Sequence, residues 1–291
     1  MKGRQEAVSL SREIGERCGR EYYTADLALQ RAKVRPCPEE IHQTMRRIYV
    51  PPESVSADRI VFDPGSARYL IRVLRLGTGD LIEAFDGTND FVVKLNCGKR
   101  GTVQGQILEI HEPQSLREPH IRLAFGCVRP GPVKEILRHG TELGVAEFVP
   151  IITQRAARRP KDKKARWNDI VAAAAAQSGR TRIPEVEEPT NLSRFLARRD
   201  AIGTRLALTL HPNARLLPAV LSDEATGEVT IAAGPEGGFD ASEEAALEEA
   251  GFIAASLGQG VLRTETSALL AVGFVCLWHS WLKRGEATGP V

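Results

Sequence analysis

Beyond Pro119 the apolar residues alternate between short and long runs, and this alternation restricts the fold more than any other feature of the chain. Strand-length runs rich in Ile, Val, Leu and Phe occupy 121–126, 147–153, 205–210, 229–233 and 253–257. Helix-length segments with helical apolar spacing occupy 133–143, 165–178, 192–198, 242–250 and 265–283. Strands that are each followed by a helix pair in parallel, and the helices cover both faces of the sheet. The expected fold class is therefore α/β with a mostly parallel sheet. Asp240 with Glu243 has the pattern of a capping box, and Gly144 and Gly251 read as helix stops.

Upstream the texture differs. Strands are expected at 47–50, 59–62, 80–85, 91–95 and 102–109, separated by Pro51-Pro52, Asp63-Pro64-Gly65, Gly77–Asp80 and Asp86-Gly87. One helix over 66–76 should place Leu70, Val73 and Leu74 on one face and Arg68, Arg72 and Arg75 on another. Such a run of short strands predicts a small β-barrel over 45–112. A linker over 113–119 then leads to the α/β domain over 120–284, with a tail over 285–291. Residues 1–44 have mixed charge and no sustained periodicity, which predicts a disordered extension.

Cys18, Cys37, Cys97, Cys127 and Cys276 are scattered and odd in number, so neither a disulfide framework nor a metal site is expected. No apolar run reaches membrane-spanning length and no signal-peptide core opens the chain, so a cytoplasmic protein without membrane contact is expected.

Two patterns point to chemistry. The first is the loop Gly234-Pro235-Glu236-Gly237-Gly238 between a strand and a helix, a place where backbone amides can meet a ligand. It lacks the Lys and Ser/Thr of a P-loop and the spacing of a dinucleotide fingerprint, and Glu236 would repel a polyanion. A neutral or cationic ligand fits it better, with a ligand-free tight turn as the alternative. The second pattern is basic. Arg155, Arg158, Arg159, Lys161, Lys163, Lys164 and Arg166 face one acid, Asp162, with Arg180 and Arg182 following. Arg46, Arg47, Arg68, Arg72 and Arg75 add a second basic surface. The net charge is only +2, so it is this clustering that fits a nucleic-acid backbone; a solvated face is the plainer alternative.

The stretch GPEGGFDASEEAALEEAGF…SLGQGVLRTETSALLAV resembles the C-terminal signature of the SPOUT-class ribosomal RNA methyltransferases, in particular the 16S rRNA uridine-N3 family. MRRIYV at Met45, GTELGVAEFVPIITQR from Gly140 and AAQSGRTRIPEV from Ala175 agree with it in order. The resemblance implies a PUA-like RNA-binding β-barrel followed by a SPOUT domain with a deep trefoil knot. It implies S-adenosyl-L-methionine as methyl donor, 16S rRNA of the small ribosomal subunit as partner, and a homodimer with its active site at the subunit interface. The cofactor pocket would use Leu210 and His211, Gly234, Pro235, Glu236, Gly237 and Gly238, then Leu257, Gly258, Val261, Leu262 and Arg263. Arg263 and Glu265 are the candidate catalytic pair, with a structural pair capping the last helix as the alternative. Arg46, Arg47, Arg72, Arg75, Arg155, Arg158, Arg159 and Arg180 are the candidate RNA contacts. The chain departs from the family pattern at His139-Gly140, Gln154, Ala156, Ala176 and Gln259-Gly260, on what would be the RNA side. Methylation of another RNA base or a ribose, and non-catalytic RNA binding in assembly, are the competing functions.

Overall fold

Two sheets account for the two textures. The computed structural model describes residues 45–111, 119–126, 130–156, 164–198, 203–224 and 227–283. The expected extension over 1–44, most of the linker, the tail over 285–291, and Arg158 and Arg159 lie outside the described residues.

The first sheet contains β1 (Arg47–Tyr49), β2 (Arg59–Val61), β3 (Leu81–Phe85), β4 (Asp90–Cys97) and β5 (Val103–His111) in the order β1-β3-β4-β5-β2. Pairing is antiparallel except between β1 and β3. The sheet curls into a half-barrel, open between β1 and β2, around Ile60, Leu70, Ile82, Val93 and Leu95. Between β2 and β3 lies α1 (Pro64–Arg68), capped by the Asp63 carboxylate, which accepts from the amides of Gly65 and Ser66 at 2.8 and 3.1 Å. It continues as a π turn over Tyr69–Val73, where the Leu74 amide donates to the Tyr69 carbonyl at 3.0 Å. The extra residue in that turn breaks the expected apolar face. Leu70 is fully buried, whereas Val73 is 63% exposed beside the exposed Arg68 and Arg72.

The second sheet is parallel throughout. Its strands are β6 (His120–Gly126), β7 (Val145–Ile152), β8 (Glu185–Val186), β9 (Thr190–Asn191), β10 (Thr204–Leu208), β11 (Arg215–Leu216), β12 (Glu228–Ala233) and β13 (Ile253–Ser256). Their order is β11-β13-β10-β12-β6-β7-β8, with β9 also on β7. β8, β9 and β11 have two residues each, too short to show an alternation in the sequence. The chain lays β10 down apart from β6 and later inserts β12 between them.

Side chains of β6 alternate between two cores, as a pleated strand requires. Ile121, Leu123 and Phe125 face α2 (Pro130–Leu143), α3 (Lys164–Ser178), α5 (Leu217–Glu224) and α7 (Thr264–Lys283). Ala124 faces the other way, towards α4 (Leu192–Leu196) and α6 (Ala241–Glu249). The departure at Gly140 has a packing reason: a Cβ there would lie 2.8 Å from two ring carbons of Phe148. No helix among the described residues is long and apolar enough to cross a membrane.

Arg47, expected at the RNA face, is an internal residue instead. Its side chain is 12% exposed and pairs with Glu83 and, at 2.5 Å, with Asp90. The guanidinium also lies 4.5 Å from the centre of the Phe85 ring and 3.2 Å from Thr181 Oγ1, in the turn after α3. Removing it would take the guanidinium away from two largely buried carboxylates. Arg47→Ala should therefore lower stability by about 3 kcal/mol, read from urea unfolding; a loss below about 0.5 kcal/mol would refute an internal role.

Candidate active site

Three strands of the parallel sheet end at one cavity of about 530 Å³. Leu208, Thr209, Leu210 and His211 leave β10, the Gly234–Gly238 loop leaves β12, and Leu257 and Gly258 leave β13. This is the carboxyl edge of a parallel sheet, where side-strand loops open a crevice for a ligand. The volume lies within the range of small-molecule sites.

The glycine loop is shaped by its own turn and by a neighbour. The Gly238 amide donates to the Pro235 carbonyl at 2.8 Å, and Gly238 takes φ +67°, a conformation that glycine adopts without strain. Beneath it sits Gly126, the last residue of β6, where a Cβ would lie 2.4 Å from the Pro235 nitrogen. The chain behind the loop turns straight into α6 through a complete capping box. The Asp240 carboxylate accepts from the Glu243 amide at 2.8 Å, and Glu243 Oε2 accepts from the Asp240 amide at 2.9 Å. Glu243 Oε1 meanwhile accepts from the Gln154 amide at 2.8 Å, which ties the end of β7 to the same turn.

On the opposite wall Thr209 Oγ1 donates to Glu244 at 2.8 Å and accepts from the His211 amide at 3.1 Å. Ser256 Oγ accepts from the Gly258 amide at 3.2 Å. Among the described residues the lining acids are Glu236 and Glu244, no lysine lines the cavity, and the one lining arginine is Arg155. Its Nη1 donates to the carbonyls of Gly237 and Phe239 at 2.8 and 3.0 Å.

The structure gathers most of the expected pocket: Leu210, His211, Gly234, Pro235, Glu236, Gly237, Gly238, Leu257, Gly258, Val261 and Leu262 all line the cavity. Arg263 does not. Its side chain is 85% exposed and its Nη1 lies 4.0 Å from Glu265, whose side chain is 11% exposed. That separation is a loose ion pair and too long for a hydrogen bond. The Arg263 carbonyl instead starts the last helix, accepting from the Ser267 amide at 2.9 Å. Thr209, Glu244, Thr264 and Ser267 are lining residues that the sequence reading did not single out. The last pair is spaced by three on the first turn of α7, a helical spacing that is visible only once the start of the helix is fixed.

Of the expected RNA contacts, Arg46, Arg72 and Arg75 are exposed on the half-barrel. Arg180 is partly buried in the turn after α3, its Nε 3.3 Å from the Glu142 carbonyl. Arg155, placed on that side by the sequence, reaches the glycine loop.

Comparison with known proteins agrees with the geometry. A sequence model of the RNA methyltransferase domain matches residues 116–276. The ribosomal RNA small subunit methyltransferase E of Synechocystis is 32% identical over 230 residues, covering 78% of this chain and 75% of the relative. Its Bacillus subtilis namesake is 27% identical, covering 75% and 89%. A methyltransferase of Legionella pneumophila solved with SAM bound superposes with a TM-score of 0.72 at 28% identity, covering 79% of this chain and 96% of that one. The ribosomal RNA small subunit methyltransferase E of Neisseria gonorrhoeae, solved with S-adenosyl methionine, gives 0.70 at 30% identity, covering 79% and 96%.

The cap at Asp240 carries a pH signature. Bonds from the Ser242 hydroxyl and the Glu243 amide hold its carboxyl below the ordinary value of 3.8. A carboxylate with a depressed folded-state pKa contributes stability that is fully present above the unfolded value and is lost as pH falls through the folded one. The stability gap between the unaltered chain and Asp240→Asn should therefore hold constant down to about pH 4 and narrow as pH is lowered further, measured by urea midpoints. A gap that stayed constant below that pH would deny the carboxylate this role.

Proposed function

The chain belongs to the ribosomal RNA small subunit methyltransferase E family, and on that premise we propose that it transfers a methyl group from S-adenosyl-L-methionine to N3 of a uridine near the 3′ end of 16S rRNA. The observation that carries this reading is the cavity. Among the described residues it is lined by backbone from three strand ends, by two acids and no lysine, and its one arginine is engaged by loop carbonyls. A phosphorylated ligand would find little counter-charge there, whereas a sulfonium nucleoside finds carboxylates and an amide-rich rim.

S-adenosyl-L-methionine, when bound, supplies an electrophilic methyl group on sulfur. The protein's task is the acceptor. Uridine N3 carries a proton that must leave as the new N–CH₃ bond forms, and the developing negative charge spreads onto the flanking carbonyl oxygens. In this reading Arg263, exposed beside the cavity-lining Leu262 and Thr264, meets an incoming base and stabilises that charge. Glu265, buried on the first turn of α7, either takes the proton or orients Arg263.

The half-barrel is read as the PUA-like RNA-binding domain over 45–112, with Arg46, Arg72 and Arg75 on phosphates and Arg158, Arg159 and Arg180 extending the track. The linker is 113–119, the SPOUT domain is 120–284, and 1–44 and 285–291 are extensions. A trefoil knot in that domain is consistent with β12 inserting between β6 and β10 before α7 returns over β6 and β12. A homodimer is supported by unpartnered apolar surface: Val261 is 84% exposed, and Leu270 and Leu277, seven apart on one face of α7, are exposed as well. A cytoplasmic location belongs to the same reading, since it takes 16S rRNA as substrate.

Mass spectrometry of 16S rRNA from a strain lacking this gene tests the target. Loss of one methyl from a uridine near the 3′ end, restored by the gene, is the expected result; an unmethylated site elsewhere in the RNA would redirect the assignment. For the catalytic pair, Arg263→Ala should reduce turnover by about a hundredfold or more while cofactor affinity stays within about twofold. Normal turnover in that variant would remove Arg263 from the mechanism.

A further inference from the structure

Arg155 looks by sequence like one more phosphate contact in a basic run, yet its geometry gives it a different task. The geometry points to Arg155 as a positioning residue that locks the glycine loop in its cofactor-receiving form; this rests on the S-adenosyl-L-methionine reading above.

Two peptide planes of the loop are held at both ends. The Gly237–Gly238 peptide gives its carbonyl to Arg155 Nη1 at 2.8 Å and its amide to the Pro235 carbonyl at 2.8 Å. The Phe239–Asp240 peptide gives its carbonyl to the same Nη1 at 3.0 Å and its amide to Glu243 Oε2 at 2.9 Å. A peptide between two glycines has the lowest steric barrier to flipping, because neither residue carries a Cβ and both signs of φ are open to it. A flip would turn the Gly237 carbonyl into the cavity and swing the Gly238 amide out of its turn. One charge-assisted donor on that carbonyl holds the productive orientation, and such bonds are about twice as strong as neutral ones. Arg155 is itself held in place, since the Gln154 amide donates to Glu243 Oε1 at 2.8 Å and the Arg155 stem lies 3.3 Å from where a Gly237 Cβ would stand. The arginine therefore commits one guanidinium nitrogen to the Gly237 and Phe239 carbonyls.

The test separates cofactor from RNA. Arg155→Met keeps much of the stem and removes the donors; its Kd for S-adenosyl-L-methionine by calorimetry should rise about tenfold, and its Kd for 16S rRNA should stay within about twofold. Arg155→Lys, which can still donate to both carbonyls, should recover most of the cofactor affinity. Gly238→Ala should weaken the cofactor without touching Arg155, and its effect should be less than additive with Arg155→Met because both release the same turn. Normal cofactor affinity with weakened RNA binding in Arg155→Met would overturn the proposal and return Arg155 to the phosphate track. Absence of heat with the unaltered chain would overturn the cofactor reading itself and this proposal with it.

Discussion

Everything at the active edge depends on one insertion. β12 pairs in parallel with β10 on one side and with β6 on the other, from Glu228 through Ala233, so its end is fixed by two ladders of backbone hydrogen bonds. The loop that follows cannot drift, and it lands on Gly126 at the end of β6, where the absence of a side chain lets the Pro235 backbone rest against the strand. Because β10 and β13 end at the same level, their loops meet the glycine loop across the cavity. A ligand held mostly by backbone needs this kind of support, since amides and carbonyls can be aimed only by fixing the strands that carry them.

The positive charge in this protein is divided by position. Arg47 is spent on Glu83 and Asp90 and fastens the half-barrel to the turn after α3 through Thr181. Arg122 is likewise inside, its Nε 2.6 Å from Glu147, with His120 at 2.9 Å from the other carboxylate oxygen. Burial pushes the Glu147 carboxyl up, but the bonds from Arg122 and His120 outweigh this and hold it below the ordinary range. Arg155 is spent on two carbonyls. Among the described residues, Arg46, Arg68, Arg72 and Arg75 on the half-barrel stand exposed, as do Arg166 and Arg182 on and after α3. A count of basic residues overstates the RNA surface, because a guanidinium already bonded indoors contributes no counterion release.

The fold was largely legible because its signals are local. Every strand of five or more residues and every helix of nine or more announced itself by period or by run length, and the Asp240–Glu243 cap and the Gly144 and Gly251 stops stand where their residue types require. The failures have physical causes. The π turn over Tyr69–Val73 displaced Val73 from a face that a regular helix would have buried. The two-residue strands exist only because neighbouring strands offer a ladder. Arg47 and Arg155 were read by charge, and their partners lie 36 or more residues away.

While the loop at Leu210 and His211 followed only from the family resemblance, the sequence by itself determined the parallel α/β plan, the strand-rich segment before it, two glycine turns of the pocket and the non-phosphate character of the first of them. Each of these rests on residues close together in the chain: periodicity, caps, turn glycines, and an acid where a lysine would be needed. Only the tertiary structure decided that Arg47 is paired inside, that Arg263 stands in solvent while Glu265 is buried, and that Arg155 donates to the Gly237 and Phe239 carbonyls. Those outcomes depend on distances across the fold, and a side chain's charge does not say which distant carboxylate or carbonyl will be waiting when the strands close.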